Sequence, residues 1–206
     1  NSNYYWDHTQ LDLQITTEPT IAPGLSDTGS IAFADLDLTD RPTATEATKS
    51  VVALKADGAA LTLTTAQQQA FEAAFTIAPA DGNNNNGIIN WNYSIAEGSI
   101  DFLADGEKVT AVFTVSVSDG NGGTASQDVT VNITGNNDAP SITTVENVTD
   151  VTGAVTEDAA SPTLSDTGII TFNDVDLTNA HTVSVTRASG SLLGGTLTLG
   201  NVSEDA

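Results

Sequence analysis

The stretch "SDTGSIAFADLDLT", Ser26 to Thr39, returns 139 residues later as "SDTGIITFNDVDLT", Ser165 to Thr178. Asp27, Gly29, Phe33, Asp35 and Asp37 stand in register with Asp166, Gly168, Phe172, Asp174 and Asp176. The register holds upstream, where Thr17, Glu18 and Pro23 align with Thr156, Glu157 and Pro162. Self-similarity at a fixed period marks a repeat array, so the fold must be read as units in tandem. The punctuation between units is "TGNNDAPSI", Thr134 to Ile142, where a strand ends and Pro140 stops any ladder. We therefore read a first unit over 1–140 and the opening half of a second over 141–206.

Within the first unit, period-two alternation dominates. "TAVFTVSVSDG" sets Phe113, Val115 and Val117 against Thr114, Ser116 and Ser118, and "TASQDVTVNITG" does the same with Val129, Val131 and Ile133. Between them "DGNGG", Asp119 to Gly123, has hairpin-turn chemistry. "GIINWNYSI" alternates Ile89, Trp91, Tyr93 and Ile95 against polar partners, which assigns Trp91 and Tyr93 to a core. Many segments with one apolar face each imply antiparallel sheets packed as a β-sandwich, an all-β fold. One stretch breaks the period. "TTAQQQAFEAAF", Thr64 to Phe75, is rich in helix formers and predicts a short helix across one end of the sandwich. The following "ADGNNNNG", Ala80 to Gly87, predicts a mobile surface loop.

Charge narrows the function. Five Lys plus Arg face 27 Asp plus Glu, a net charge of −22. Such a chain repels phosphate backbones and anionic lipid, so neither nucleic acid nor membrane insertion is expected. The apolar fraction of 39% in alternating runs argues against disorder. Divalent cations are the natural counter-charge. With no Cys, disulfides and thiol chemistry are excluded, and with no Met the sequence reads as a processed or excised piece of something longer. No apolar run reaches the length of a membrane span and no signal peptide is present, so export would be directed from outside this sequence.

The pairs Asp35–Leu36–Asp37 and Asp174–Val175–Asp176 each follow a strand. In extended chain their carboxylates would lie about 6–7 Å apart on one side, able to straddle one ion or feed two. A single such pair reads equally as a solvated strand end; recurrence in both units favours metal. Calcium takes six to eight oxygens, including Asn side chains. Asn136, Asn137 and Asp138 supply short oxygen-bearing side chains at the boundary, although such residues also make ordinary turns. Glu18 and Glu157 add a longer carboxylate at each unit's start, and Asp119 at the hairpin tip reads equally as turn residue or ligand. No helix-loop-helix calcium loop occurs. His8 and His181 are the only histidines, and His181 faces Pro42 in the repeat register; no nucleophile elbow is present, so no enzyme is expected. Tyr4, Tyr5 and Trp6 could stack on sugar rings or cover a neighbouring apolar surface.

"LSDTGSIAFADLDLT", "INWNYSI" and above all "SDGNGGTASQDVTVNITGNNDAP" resemble the VCBS-type, cadherin-like (Ig-like) repeats of large bacterial RTX-type surface adhesins. The resemblance spans almost the whole chain. It implies tandem Ig-like or cadherin-like sandwiches, secretion to the bacterial cell surface, and calcium ions that rigidify successive units. It also implies ligands of the kinds found at Glu157, Asp174, Asp176, Asn137 and Asp138, with "NNDAP" departing from the "NDN" linker of animal cadherins. The expected function is a calcium-stiffened extracellular spacer in cell adhesion, biofilm or surface attachment, with neighbouring repeats of the same protein as partners. Two alternatives remain open: a carbohydrate-binding module taking cell-surface glycans, and a filament subunit. In the latter, strands from other copies, joined head-to-tail, complete the half unit.

Overall fold

A computed structural model describes residues 24–79, 81–156, 163–186 and 196–203. The alternating segments form two three-stranded antiparallel sheets. In one, β1 (Leu25–Ala34) and β3 (Phe75–Pro79) flank β4 (Asn86–Ile95), with Leu25 opposite Ile95 and Phe75 opposite Tyr93. In the other, β2 (Thr43–Leu54) and β6 (Thr124–Thr134) flank β5 (Lys108–Ser118), with a register shift in β2 between Thr48 and Ser50.

The sheets close on each other because each strand has one apolar face. Val109, Ala111, Phe113 and Val115 of β5 are buried with Val129, Val131 and Ile133 of β6 and with Ile89, Tyr93 and Ile95 of β4. Phe75 and Phe113 stack across the sandwich at 4.3 Å between centroids. Each such side chain contributes roughly 1.5–3 kcal/mol on burial. Trp91 is partly buried on the same face. Its indole lies over Gly29, where a Cβ would stand 2.5 Å from the ring. On the outer face of the second sheet, Thr110 bonds Asn132, Thr114 bonds Asp128 and Ser116 bonds Ser126. The all-β sandwich read from the sequence is the fold observed.

The helix α1 runs Thr65–Ala73, with Thr64 and Gln67 forming a capping box and Phe71 fully buried. It stops short of the stretch expected from composition. Phe75 instead opens β3, where its ring joins the stack with Phe113, and burial of that ring outweighs helix propensity. The loop before β4 is shorter than its composition implies. Asn83 accepts from Ile88 N–H at 3.0 Å and donates to Ile88 O at 2.9 Å, and the strand already begins at Asn86.

Past Thr134 the chain crosses to the second unit. Among the described residues, its regular structure is one antiparallel pair, β7 (Ser141–Thr143) with β8 (Thr171–Asn173), and a bridge between Asp150 and Ile169. Ile142, Ile169, Ile170 and Leu197 are more than half exposed there. In the repeat register Ile170 and Phe172 correspond to Ile31 and Phe33, which in the first unit pack against the core.

Candidate metal centre

The two Asp-x-Asp segments fold into the same turn. Asp35 Oδ1 accepts Asp37 N–H at 2.8 Å, and Asp37 O accepts Asp40 N–H at 3.0 Å. In the second unit Asp174 Oδ1 accepts Asp176 N–H at 3.0 Å, and Asp176 O accepts Asn179 N–H at 3.4 Å. The extended geometry expected from the sequence is therefore replaced by an Asx-type turn. That turn brings up a third side chain, Asp40 or Asn179, which stand in register; Asp40 offers an oxygen, whereas Asn179 turns its amide nitrogen to Asp176. One oxygen from each of Asp35, Asp37 and Asp40 lies within 4.8 Å of the others.

The two turns differ in what covers them. Asp37 is exposed, whereas Asp176 is 3% exposed. Asp176 Oδ2 accepts the backbone N–H of Asp138 and Nδ2 of Asn179, both at 2.9 Å. Asn179 Nδ2 also reaches Asn137 Oδ1 at 3.3 Å. The boundary segment and the second Asp-x-Asp turn are thus brought together. Asn136 donates only to the neighbouring Asn137 carbonyl. Asp119 stands apart, at the β5–β6 hairpin, where its carboxylate accepts from Asn121 N–H at 2.7 Å and Gly123 N–H at 2.9 Å. Glu18 and Glu157, with the Tyr4–Trp6 cluster and His8, lie outside the described residues.

The seam contains an acid that motif reading missed. Glu107 is 1% exposed, at the end of the turn Ala104–Glu107. Gly106 holds φ +77° in this turn, a conformation that favours glycine. Glu107 Oε2 accepts Ala104 N–H at 3.1 Å, and Oε1 accepts the hydroxyl of Thr178 at 2.8 Å. Its backbone carbonyl takes Gly135 N–H at 2.8 Å, which ties the start of β5 to the end of β6. The sequence carried a signal for it. Glu107 has the same parity as Val109, Ala111 and Phe113, so it is an acid placed on an apolar face.

Glu107 and Asp176 are therefore buried near the seam, and the side chain of Asp174 beside them is 3% exposed. Among the described residues, the one basic group within ion-pair distance of any of them is His181, whose Nε2 lies 2.9 Å from Asp174 Oδ2. That contact, followed by the Asp176 N–H, holds the Asp174 carboxyl below the usual carboxylate range. Asp176 Oδ1 is buried and has no hydrogen-bond partner among the described residues. An orphaned buried carboxylate oxygen costs several kcal/mol unless a cation meets it.

The model of the bacterial Ig domain family matches residues 25–132, which is just over half of the chain. The chain belongs to the bacterial Ig domain family. No curated protein and no solved structure matches it. The Ig-domain match covers the sandwich itself, from β1 nearly to the end of β6, and so includes Glu107 and the first Asp-x-Asp turn. The two acidic turns sit at opposite poles of this Ig domain, the first within it and the second against it. Asp40 accepts Asn121 Nδ2 beside the β5–β6 hairpin, while Glu107 lies at the other end of β5. An eleven-residue strand separates them by about 35 Å.

Proposed function

We propose that the chain is a calcium-stiffened repeat of an extracellular bacterial surface protein, a spacer in cell adhesion or surface attachment that is clamped to its neighbour at the seam. Membership of the Ig-domain family points to an extracellular or surface repeat. Among the described residues, no helix is long and apolar enough to cross a membrane.

The observation that carries the reading is the Oδ1 of buried Asp176, which has no hydrogen-bond partner among the described residues, in a seam with Glu107 and Asp174 where no described Lys or Arg comes within ion-pair distance. The donors are carboxylate and amide oxygens, which suit a hard cation taking many oxygen ligands. Asp174 and Asp176 would hold the ion, Glu107 would approach it from across the Thr178 hydroxyl, and Asn137 and Asp138 would close the shell. Asp35, Asp37 and Asp40 offer the same turn at the far pole, where a preceding repeat would complete it. A cation that binds only the folded seam stabilises it by mass action, by roughly 2.7 kcal/mol per site at 100 times its dissociation constant. Thermal unfolding in calcium, in magnesium and in chelator tests this. We expect a melting temperature several degrees higher in calcium, with magnesium a poor substitute. Coincident curves in calcium and chelator would overturn the reading.

A second reading rests on a different observation. The exposed Ile142, Ile169, Ile170 and Leu197 leave the second unit with an uncovered apolar face, which further strands would bury. Strands supplied by another copy would make head-to-tail filaments.

A further inference from the structure

We propose that Asn121 is a self-modifying position: the backbone nitrogen of Gly122 displaces its side-chain amide, placing a fourth carboxylate beside Asp35, Asp37 and Asp40. The hairpin tip is built around Asp119. Asn121 and Gly123 donate their N–H groups to its carboxylate, Gly120 donates to Ser118 Oγ, and Asp119 donates its own to Gly123 O. Among the described residues, Gly122 N–H has no acceptor. That nitrogen is the nucleophile of asparagine deamidation. Gly122 sits at φ +109°, and a Cβ there would meet nothing within 4 Å, so no side chain shields the attack. Asn121 Nδ2 is held by Asp40 Oδ2 at 3.0 Å, which fixes what the product faces.

The chemistry needs only water. Solvent base removes the Gly122 amide proton, the nitrogen bonds to Asn121 Cγ, and the Cγ–Nδ2 bond breaks to release ammonia. Water opens the resulting succinimide at either carbonyl, giving aspartate or its isoaspartyl isomer. The chain contains one other Asn-Gly step, Asn86–Gly87. It opens β4, paired with Ala34 and Phe33, and the Asn83 side chain packs on Gly87. Ladder pairing and that cover protect it.

The exchange turns a hydrogen-bond donor toward Asp40 into an anion. Without a cation the tip and the acidic turn then repel; with one, they are joined through it. This second consequence rests on the calcium reading, whereas the modification does not. The test incubates the full chain at mildly alkaline pH and maps the amide-to-acid mass change by peptide sequencing. Asn121 should convert at least about tenfold faster than Asn86, a barrier difference of about 1.4 kcal/mol. Asn121→Asp should melt below the parent in chelator and gain more from calcium than the parent does. Conversion at Asn86 first, or an unchanged Asn121, would overturn the modification. If Asn121→Asp melts with the parent in chelator, its coupling to the acidic turn is wrong. If calcium stabilises neither protein, the metal reading fails while the mass change stands.

Discussion

Thr178 donates its hydroxyl to Glu107 at 2.8 Å, joining the Asp-x-Asp turn of the second unit to the base of β5 in the first. The two residues are 71 apart in sequence, and the bond crosses the Pro140 boundary. Leu177 N–H reaches Phe102 O beside it at 3.4 Å. The units are therefore coupled through the wall of the acidic site.

Glu107→Gln gives this coupling a sign. In chelator the substitution removes a buried carboxylate that has no described Lys or Arg within ion-pair distance, so stability should be unchanged or higher. In calcium it removes a ligand and should cost about 1–3 kcal/mol. Equilibrium urea unfolding in both conditions measures it. The same loss in both would make Glu107 a packing residue and nothing more.

Tyr93 gives a pH dependence. Its hydroxyl is buried without a partner, and burial pushes its pKa from 10.0 to about 12. The folded state therefore favours the protonated phenol. That contribution is complete below pH 10 and is lost as pH rises from 10 toward 12. Ultraviolet titration should show a tyrosine that ionises late, together with the onset of alkaline unfolding. Tyr93→Phe should abolish the late step and leave stability at neutral pH nearly unchanged, since the hydroxyl makes no bond there. A late step that survives in Tyr93→Phe would refute the assignment.

The fold was legible because its signal is local. Alternation in residues 110–118 and 124–134 gives strand, face and hairpin at once, as does Ile89 to Ile95. The helix end was not legible, since Phe75 is placed by a stack with Phe113 across the sandwich. At the site, repetition revealed Asp174 and Asp176, but the turn that adds Asp40 and Asn179 depends on backbone geometry that spacing alone does not fix. Glu107 lies outside the repeated stretches compared above and comes to the seam through a glycine turn. Its apolar-face parity was the one local clue.

Hydrogen exchange should divide the chain unevenly. The amides of β2, β5 and β6 lie in long paired ladders over a closed core, whereas β7 and β8 share three residue pairs. Protection should be strong across Val109–Val115 and weak across Ile169–Asn173. Strong protection in the latter, appearing with rising protein concentration, would instead support strand donation between copies.

Under the proposed function a cation at Asp174 and Asp176, facing Glu107 across the seam, fixes one unit against the next, and an interspin distance between the units reads this out. The chain has no cysteine, so cysteines introduced at exposed Thr130 and Val151 would carry the only spin labels. The account predicts a narrow distance distribution in calcium that broadens in chelator, and a broad one in both conditions for Asp174→Asn with Asp176→Asn. A distribution equally narrow with calcium, with chelator and in that double variant would contradict it.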